Sequence, residues 1–149
     1  MDTRYSTNIA GLFDTTSVNN VVSLLCGTND YSAGTTDLSA YTSILSWVSK
    51  AKATGYTVLI FTPISRFGTD NGHGQTGDQY EQALSARIIG GAVANGYTVI
   101  DLNGDVNIGC TGCYANTTYF NPDEIHLTQT GYNIIGSYYL SALNALGIN

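Results

Sequence analysis

Three short apolar runs along the chain predict buried strands. They cover residues 21–26, 56–61 and 97–102, and polar or glycine-rich sequence follows each of them. Thr62 and Pro63 end the second run, because proline cannot donate a hydrogen bond to a strand ladder. The length and composition of the runs are typical of strands that are covered on both faces of a parallel sheet.

Segments with helical spacing separate these runs. Apolar residues recur at that spacing from Leu38 to Ala51 and again from Tyr80 to Val93. A last helix follows an irregular segment, and its predicted buried stripe is Tyr132, Ile135, Tyr139, Leu143 and Leu146. The residues predicted to cap or stop the three helices are Thr36, Asp37 and Gly55, then Asp78 and Gly96, and finally Thr128.

The elements alternate as β-α-β-α-β-loop-α, which predicts an α/β fold. Right-handed crossovers would place helices on both faces of a parallel sheet. The carboxyl ends of the three strands would then share one edge with the variable loops. No repeat or linker divides the sequence, so residues 1–149 are expected to form one domain.

Composition narrows the classes of function. Only 11% of the residues are charged, against roughly 25% in typical soluble domains, and this balance favours a secreted or periplasmic protein. The net charge of −6 opposes a nucleic-acid partner, because phosphate contacts need clustered lysine and arginine. No apolar run approaches the roughly 20 residues that span a bilayer, and no signal-peptide pattern is present, so a membrane partner is not expected.

The three cysteines form two groups. Cys26 ends an apolar run and is expected to pack as a small hydrophobic residue. Cys110 and Cys113 lie in a glycine-rich loop, where a C-x-x-C pair fits a short-loop disulfide, two free thiols or half of a metal site. A second pair of ligands is lacking in the sequence, so no metal site is expected.

Polar side chains follow the first predicted strand, in the segment from Gly27 to Asp30. Asn29 could donate its amide N–H to a developing oxyanion, or it could serve an ordinary tight turn. Asp30 is expected to brace the loop rather than to react. The segment therefore predicts a substrate-binding loop at the carboxyl end of the strand.

Asp123 and His126 lie just before the last predicted helix. A carboxylate three residues ahead of an imidazole can accept one ring N–H and leave the other ring nitrogen as a base. Taken alone, His126 could be a solvated loop histidine and Asp123 a helix-start acid. Asn29 behind an earlier strand favours the catalytic interpretation. His73 is expected to be exposed, with a role in lining the substrate site as the alternative. Arg66 could hold a substrate carboxylate or solvate its loop, and the second role is favoured.

The G-x-N-D block at residues 27–30 and the D-x-x-H-L block at residues 123–127 resemble those of the SGNH/GDSL hydrolases. The resemblance runs from about Val21 to Leu146. It implies a flavodoxin-like three-layer α/β/α sandwich that hydrolyses esters or removes acetyl groups without a metal or organic cofactor. It also implies that Asn29, within the block that contains Gly27 and Asp30, serves the oxyanion, that Asp123 orients the imidazole, and that His126 is the base.

The nucleophile of that family is not found by its motif. Its serine belongs to a Gly-Asp-Ser block on a strand upstream of the asparagine block, and the sequence contains no such block, which predicts an N-terminally shortened hydrolase. Ser6 is the nearest substitute, but its neighbours predict no strand-to-helix elbow, and Ser32 follows Asn29 instead of preceding it. The nucleophile therefore stays unknown, and activity is expected to be weak or absent.

Two further expectations concern partners. Without upstream strands, the strand ending at Cys26 would be an apolar edge, so we expect a homodimer joined through that edge or through uncovered helices. The expected ligand is a small ester or acetylated sugar. The alternative function is a non-catalytic binding or assembly module that retains the hydrolase fold.

Overall fold

The computed structural model describes residues 8–148, which contain a three-stranded parallel sheet. The strands are β1 (Val21–Leu24), β2 (Thr57–Phe61) and β3 (Thr98–Ile100), in the order β1-β2-β3. Val21 pairs with Thr57, and Leu59 pairs with Thr98. Each strand is shorter than its apolar run, because the run continues into the loop or turn beside it.

Four α-helices connect and cover the strands. They are α1 (Thr28–Ser32), α2 (Asp37–Thr54), α3 (Gly77–Asn95) and α4 (Gln129–Ala145). Short 3-10 helices lie at Ala10–Leu12 and Cys113–Ala115. Helix α1 was not predicted, because five residues are too few to show a helical period.

Two hydrophobic clusters lie on opposite faces of the sheet. On one face, α2 and α3 pack against Val58 and Ile60. On the other face, α4 and the loop residues before it pack against Leu59 and Phe61. Helices therefore cover both faces, and the flavodoxin-like three-layer arrangement is confirmed.

The predicted ends of the helices are mostly found, with one correction. Thr36 caps α2 by accepting a hydrogen bond from the Ser39 N–H. Helix α3 begins two residues earlier than Asp78 suggested, because Thr76 forms a capping box with Gln79. The Asp78 carboxylate instead accepts hydrogen bonds from neighbouring loops, so the prediction that it caps the helix was wrong.

The predicted stripe of α4 was wrong at Tyr132, which is 51% exposed. Gly131 is the buried residue of the first turn, and it shares a helix face with Ile135, four residues later. Tyr132 lies about 100° around the helix from that face. Leu146 lies beyond the last helical residue and is 39% exposed.

The structure joins Cys110 and Cys113 in a disulfide and leaves Cys26 as a free thiol. Cys26 is half-buried and packs against the α2–α3 cluster, as expected for a small hydrophobic residue. Of the alternatives for the C-x-x-C pair, the structure therefore contains the short-loop disulfide.

Candidate active site

A cleft of about 860 Å³ opens where β1 and β2 end. Asn29 contributes to one wall, and His126 contributes to another. Pro63 and Ile64, which follow β2, lie between these two segments in the chain and also line the cleft. The topology thus brings together the two blocks that the sequence singled out.

His126 is held by Asp123 through both its backbone and its side chain. The His126 backbone N–H donates to Asp123 Oδ1 at 2.9 Å, and ring Nδ1 lies 2.7 Å from Oδ2. Because an ionised carboxylate only accepts hydrogen bonds, the proton of a neutral imidazole sits on Nδ1. Nε2 is then free to accept a proton, and the His126 side chain is 68% exposed.

The same contacts keep Asp123 ionised. The pKa of the Asp123 carboxyl is lowered to about 2 by three hydrogen bonds. In order of decreasing effect, they come from the His126 backbone N–H, the His126 imidazole and the Ile125 backbone N–H. The carboxylate is therefore charged throughout the pH range in which an imidazole can act as a base.

The loop that carries His126 is fixed by the backbone. The His126 carbonyl accepts from the Asn121 N–H at 2.7 Å, and the Glu124 carbonyl accepts from the Phe67 N–H at 3.0 Å. Glu124 has a φ of +57°, which non-glycine residues rarely adopt. Such a conformation persists only where surrounding contacts impose it, so the His126 loop has a defined geometry.

The loop that carries Asn29 begins at a buried glycine. Gly27 has a φ of +124°, and a Cβ there would lie 2.8 Å from Leu84 Cδ2. Only glycine permits this close approach of the loop to α3. The chain then enters α1, whose second residue, Asn29, lies exposed at the cleft.

Asp30 also lines the cleft. Its backbone carbonyl accepts from the Thr35 N–H at 2.9 Å, which ties the end of α1 to the next loop. This is a backbone contact, so the predicted bracing role of the Asp30 side chain stays a prediction. His73 is exposed as predicted, and its Nε2 lies 2.8 Å from the Gly34 carbonyl oxygen.

Arg66 does not solvate its loop. It is only 4% exposed and lies 4.5 Å from the centre of the Tyr31 ring. Its guanidinium donates to the Thr28 carbonyl, to Ser32 Oγ at 3.1 Å and to the Phe67 carbonyl at 3.2 Å. The planar fork of arginine suits such a set of acceptors, so the expectation of a solvated Arg66 was wrong.

Glu81 is a buried acid that the sequence reasoning passed over. It is fully buried on α3, and its Oε1 accepts from Thr28 Oγ1 at 3.2 Å. A signal was available, because Glu81 shares a helical face with the apolar residues Leu84 and Ile88. A charged residue on a predicted buried face points to a specific polar contact.

A model of the GDSL-like lipase/acylhydrolase family matches residues 4–134. The chain belongs to this family. A solved structure from Bacteroides fragilis, described as a putative acylhydrolase, is similar with a TM-score of 0.70 and 21% identity, over 97% of this chain and 68% of the other. At that identity it shows the shared fold; a comparison with curated proteins finds no match.

The nucleophile of this GDSL-like chain is still unassigned. Ser6 lies outside the described residues. In the described cleft, the serine and threonine hydroxyls are those of Ser23 and Thr28, and the latter already donates to Glu81. Burial raises the pKa of the Cys26 thiol to about 12, so little thiolate forms at neutral pH.

Across residues 8–148, no group of three or more histidine, cysteine, aspartate or glutamate side chains is placed to hold a metal ion. Within the same residues, every helix is too short or too polar to cross a bilayer.

Proposed function

We propose that the chain is an ester hydrolase that acts on carboxylic esters or acetylated carbohydrates. The observation that carries this proposal is that His126, hydrogen-bonded to Asp123, lines the same cleft as Asn29. A base and an oxyanion donor that line one cavity are two of the groups that acyl transfer requires, the third being the attacking nucleophile. Membership of the GDSL-like family supports the same class of reaction.

His126 acts as the base in this proposal. As an attacking hydroxyl oxygen bonds to the ester carbonyl carbon, its proton passes to Nε2 of His126. The carbonyl oxygen takes up the electron pair, and the Asn29 amide and the N–H groups of the Gly27 loop stabilise its charge. Collapse of this intermediate breaks the ester C–O bond, and the departing alkoxide takes the proton from His126. Water then releases the acid by the same steps.

We also propose that this activity is weak. Thr28 and Cys26 are poor nucleophiles for the reasons given above, and Ser6 and Ser23 are the serines to be tested. The binding or assembly module remains as an outcome of the test, since no described contact favours it over hydrolysis. The shortened N-terminus and a secreted or periplasmic location stay predictions.

The deciding experiment is hydrolysis of p-nitrophenyl acetate, with acetate release from a peracetylated monosaccharide as the second substrate. We expect His126→Ala to lower kcat/KM by about 10²-fold or more. His73→Ala is the matched control, because it removes the other histidine of the chain and should leave the rate unchanged. Ser6→Ala and Ser23→Ala identify the nucleophile. A wild-type rate equal to buffer on both substrates would overturn the proposed function.

A further inference from the structure

A buried carboxyl lies directly beneath the Asn29 loop. Glu81 is fully buried on α3, and one of its oxygens accepts the Thr28 hydroxyl hydrogen bond at 3.2 Å. Its other oxygen, Oε2, is buried without a hydrogen-bond partner in the described part of the chain. Oε2 lies 3.2 Å from where a Cβ on Gly27 would be. The carboxyl therefore fills the space under the loop.

Arg66 contacts the same loop and helix α1. Its guanidinium donates to the Thr28 carbonyl and to Ser32 Oγ, at the two ends of α1. Glu81 and Arg66 thus both hold Thr28, the residue immediately before Asn29. Any change of charge in this pair acts on the backbone that positions the Asn29 side chain.

We propose that Glu81 is a positioning residue: its carboxyl supports Gly27 and Thr28 from beneath and thereby sets how the Asn29 side chain faces the cleft. The effect of Glu81 on catalysis rests on the proposed role of Asn29 in ester hydrolysis. The effect of Glu81 on the loop is independent of that role. The loop and the reaction can therefore be tested separately.

The charge of Glu81 changes within an accessible pH range. Burial raises the pKa of its carboxyl to about 8, while Arg66 and the Thr28 hydrogen bond act in the opposite direction. The titratable and charged groups that interact with Glu81 are Cys26 after β1, Asp30 and Tyr31 on α1, Arg66 after β2, and Asp78 and Tyr80 on α3.

Ionisation has a definite direction in this network. Above pH 8 the carboxylate attracts the Arg66 guanidinium and accepts the Thr28 hydroxyl bond more strongly. Below pH 8 the neutral carboxyl attracts the Arg66 guanidinium less and accepts a weaker hydrogen bond from the Thr28 hydroxyl. Glu81 therefore couples the pH to the position of α1 and of Asn29.

NMR of the folded chain tests this without requiring any enzymatic activity. We expect the Asn29 side-chain amide and the Gly27 and Thr28 backbone amides to titrate together with a midpoint near pH 8. Glu81→Gln should abolish that step. Glu124→Gln is the matched control, since Glu124 is the other glutamate of the sequence, and it should leave the step in place. Repeating the titration in His126→Gln removes any contribution from the imidazole.

A second variant covers the case in which Glu81→Gln does not fold. Thr28→Val keeps the carboxyl but removes the hydroxyl that lowers its pKa. We expect it to move the midpoint above pH 8. Asn29 signals that do not move between pH 6 and pH 10 in the wild type would overturn the proposal, as would a step that persists in Glu81→Gln.

Kinetics supply a further readout if the wild type hydrolyses esters. Glu81→Gln should remove the step near pH 8 from the pH profile of kcat and leave KM within about twofold, because Asn29 stabilises the transition state rather than the bound ester. An unchanged profile beside a clear NMR step would refute transmission to catalysis. Absence of hydrolysis would overturn the proposed function and leave the NMR result to decide the role of Glu81.

Discussion

Asp123 holds both the backbone and the ring of His126: Oδ1 accepts the backbone N–H at 2.9 Å, and Oδ2 lies 2.7 Å from ring Nδ1. The first contact fixes the turn, and the second fixes the tautomer. Because one carboxylate does both, a residue only three positions before His126 in the sequence orients the imidazole.

This relationship predicts how Asp123 titrates. Its pKa is lowered from 3.8 to about 2, so the stabilisation it gives is present above about pH 4 and is lost as the pH falls towards 2. In His126→Ala the backbone N–H remains, so the midpoint of the Asp123 carboxyl should rise only part of the way to 3.8. Carboxyl ¹³C NMR measures both midpoints.

Asp14 is an internal control in the same spectra. Its pKa is lowered by hydrogen bonds from Thr16, so His126→Ala should leave it unchanged. A full return of Asp123 to pH 3.8 would contradict the dominant role of the backbone N–H.

Gly27→Ala should destabilise the chain by about 2–4 kcal/mol, from backbone strain and from crowding against α3. The new Cβ would lie 2.8 Å from Leu84 Cδ2 at a φ of +124°. Gly72→Ala is the matched control, because Gly72 also has a positive φ, +82°, but no atom of the described residues beyond Gly72 and its two chain neighbours lies within 4 Å of the Cβ position. Urea unfolding should show a loss of about 1 kcal/mol for the control. Equal losses would show that contact with α3 does not matter.

Arg66→Lys should cost about 2–3 kcal/mol, because an ammonium group cannot replace the planar fork at its buried acceptors. Arg87→Lys is the control. Arg87 pairs with Asp37, and the exposed fractions of the two side chains are 41% and 12%. Lysine keeps the positive charge beside Asp37, and the arginine is partly in solvent, so the control should lose about 1 kcal/mol or less. Thermal or urea unfolding compares the two variants. Similar losses would mean that the Arg66 contacts add nothing to stability.

The order of the elements could be predicted from the sequence because strands and helices have different apolar periods. The three strands and the helices α2, α3 and α4 were all found in this way. Gly55 and Thr128 marked a helix end and a helix start because each has a local role, a left-handed stop and a side-chain cap. The predicted cap at Asp78 was wrong because its carboxylate accepts hydrogen bonds from loops that are distant in the sequence, and a local pattern cannot predict such contacts.

In the candidate site, too, local contacts could be predicted from the sequence and long-range contacts could not. Asp123 and His126 are three residues apart, so their hydrogen bond could be predicted from spacing. Arg66 and Glu81 act on Thr28 from positions 38 and 53 residues away in the chain. Contacts of that separation arise only when the sheet and α3 are assembled, so the support of the Asn29 loop required the structure.

The predicted association through β1 stays a prediction, and the described structure gives it a sharper test. Among residues 8–148, β1 pairs with β2 alone, whereas β2 has a strand on each side. Ser23 is exposed on β1, and a lysine on an edge strand opposes pairing with another chain. Ser23→Lys should therefore lower the apparent mass of the chain in light scattering at micromolar concentration.

Thr57→Lys is the matched control for this variant. Thr57 is also exposed, but it lies on the central strand β2, where both edges are already occupied. The control should associate like the wild type. A wild type that is strictly monomeric at micromolar concentration would refute the association. Equal dissociation of both lysine variants would place the contact away from the β1 edge, because a lysine on the central strand β2 does not lie at that edge and cannot block pairing there.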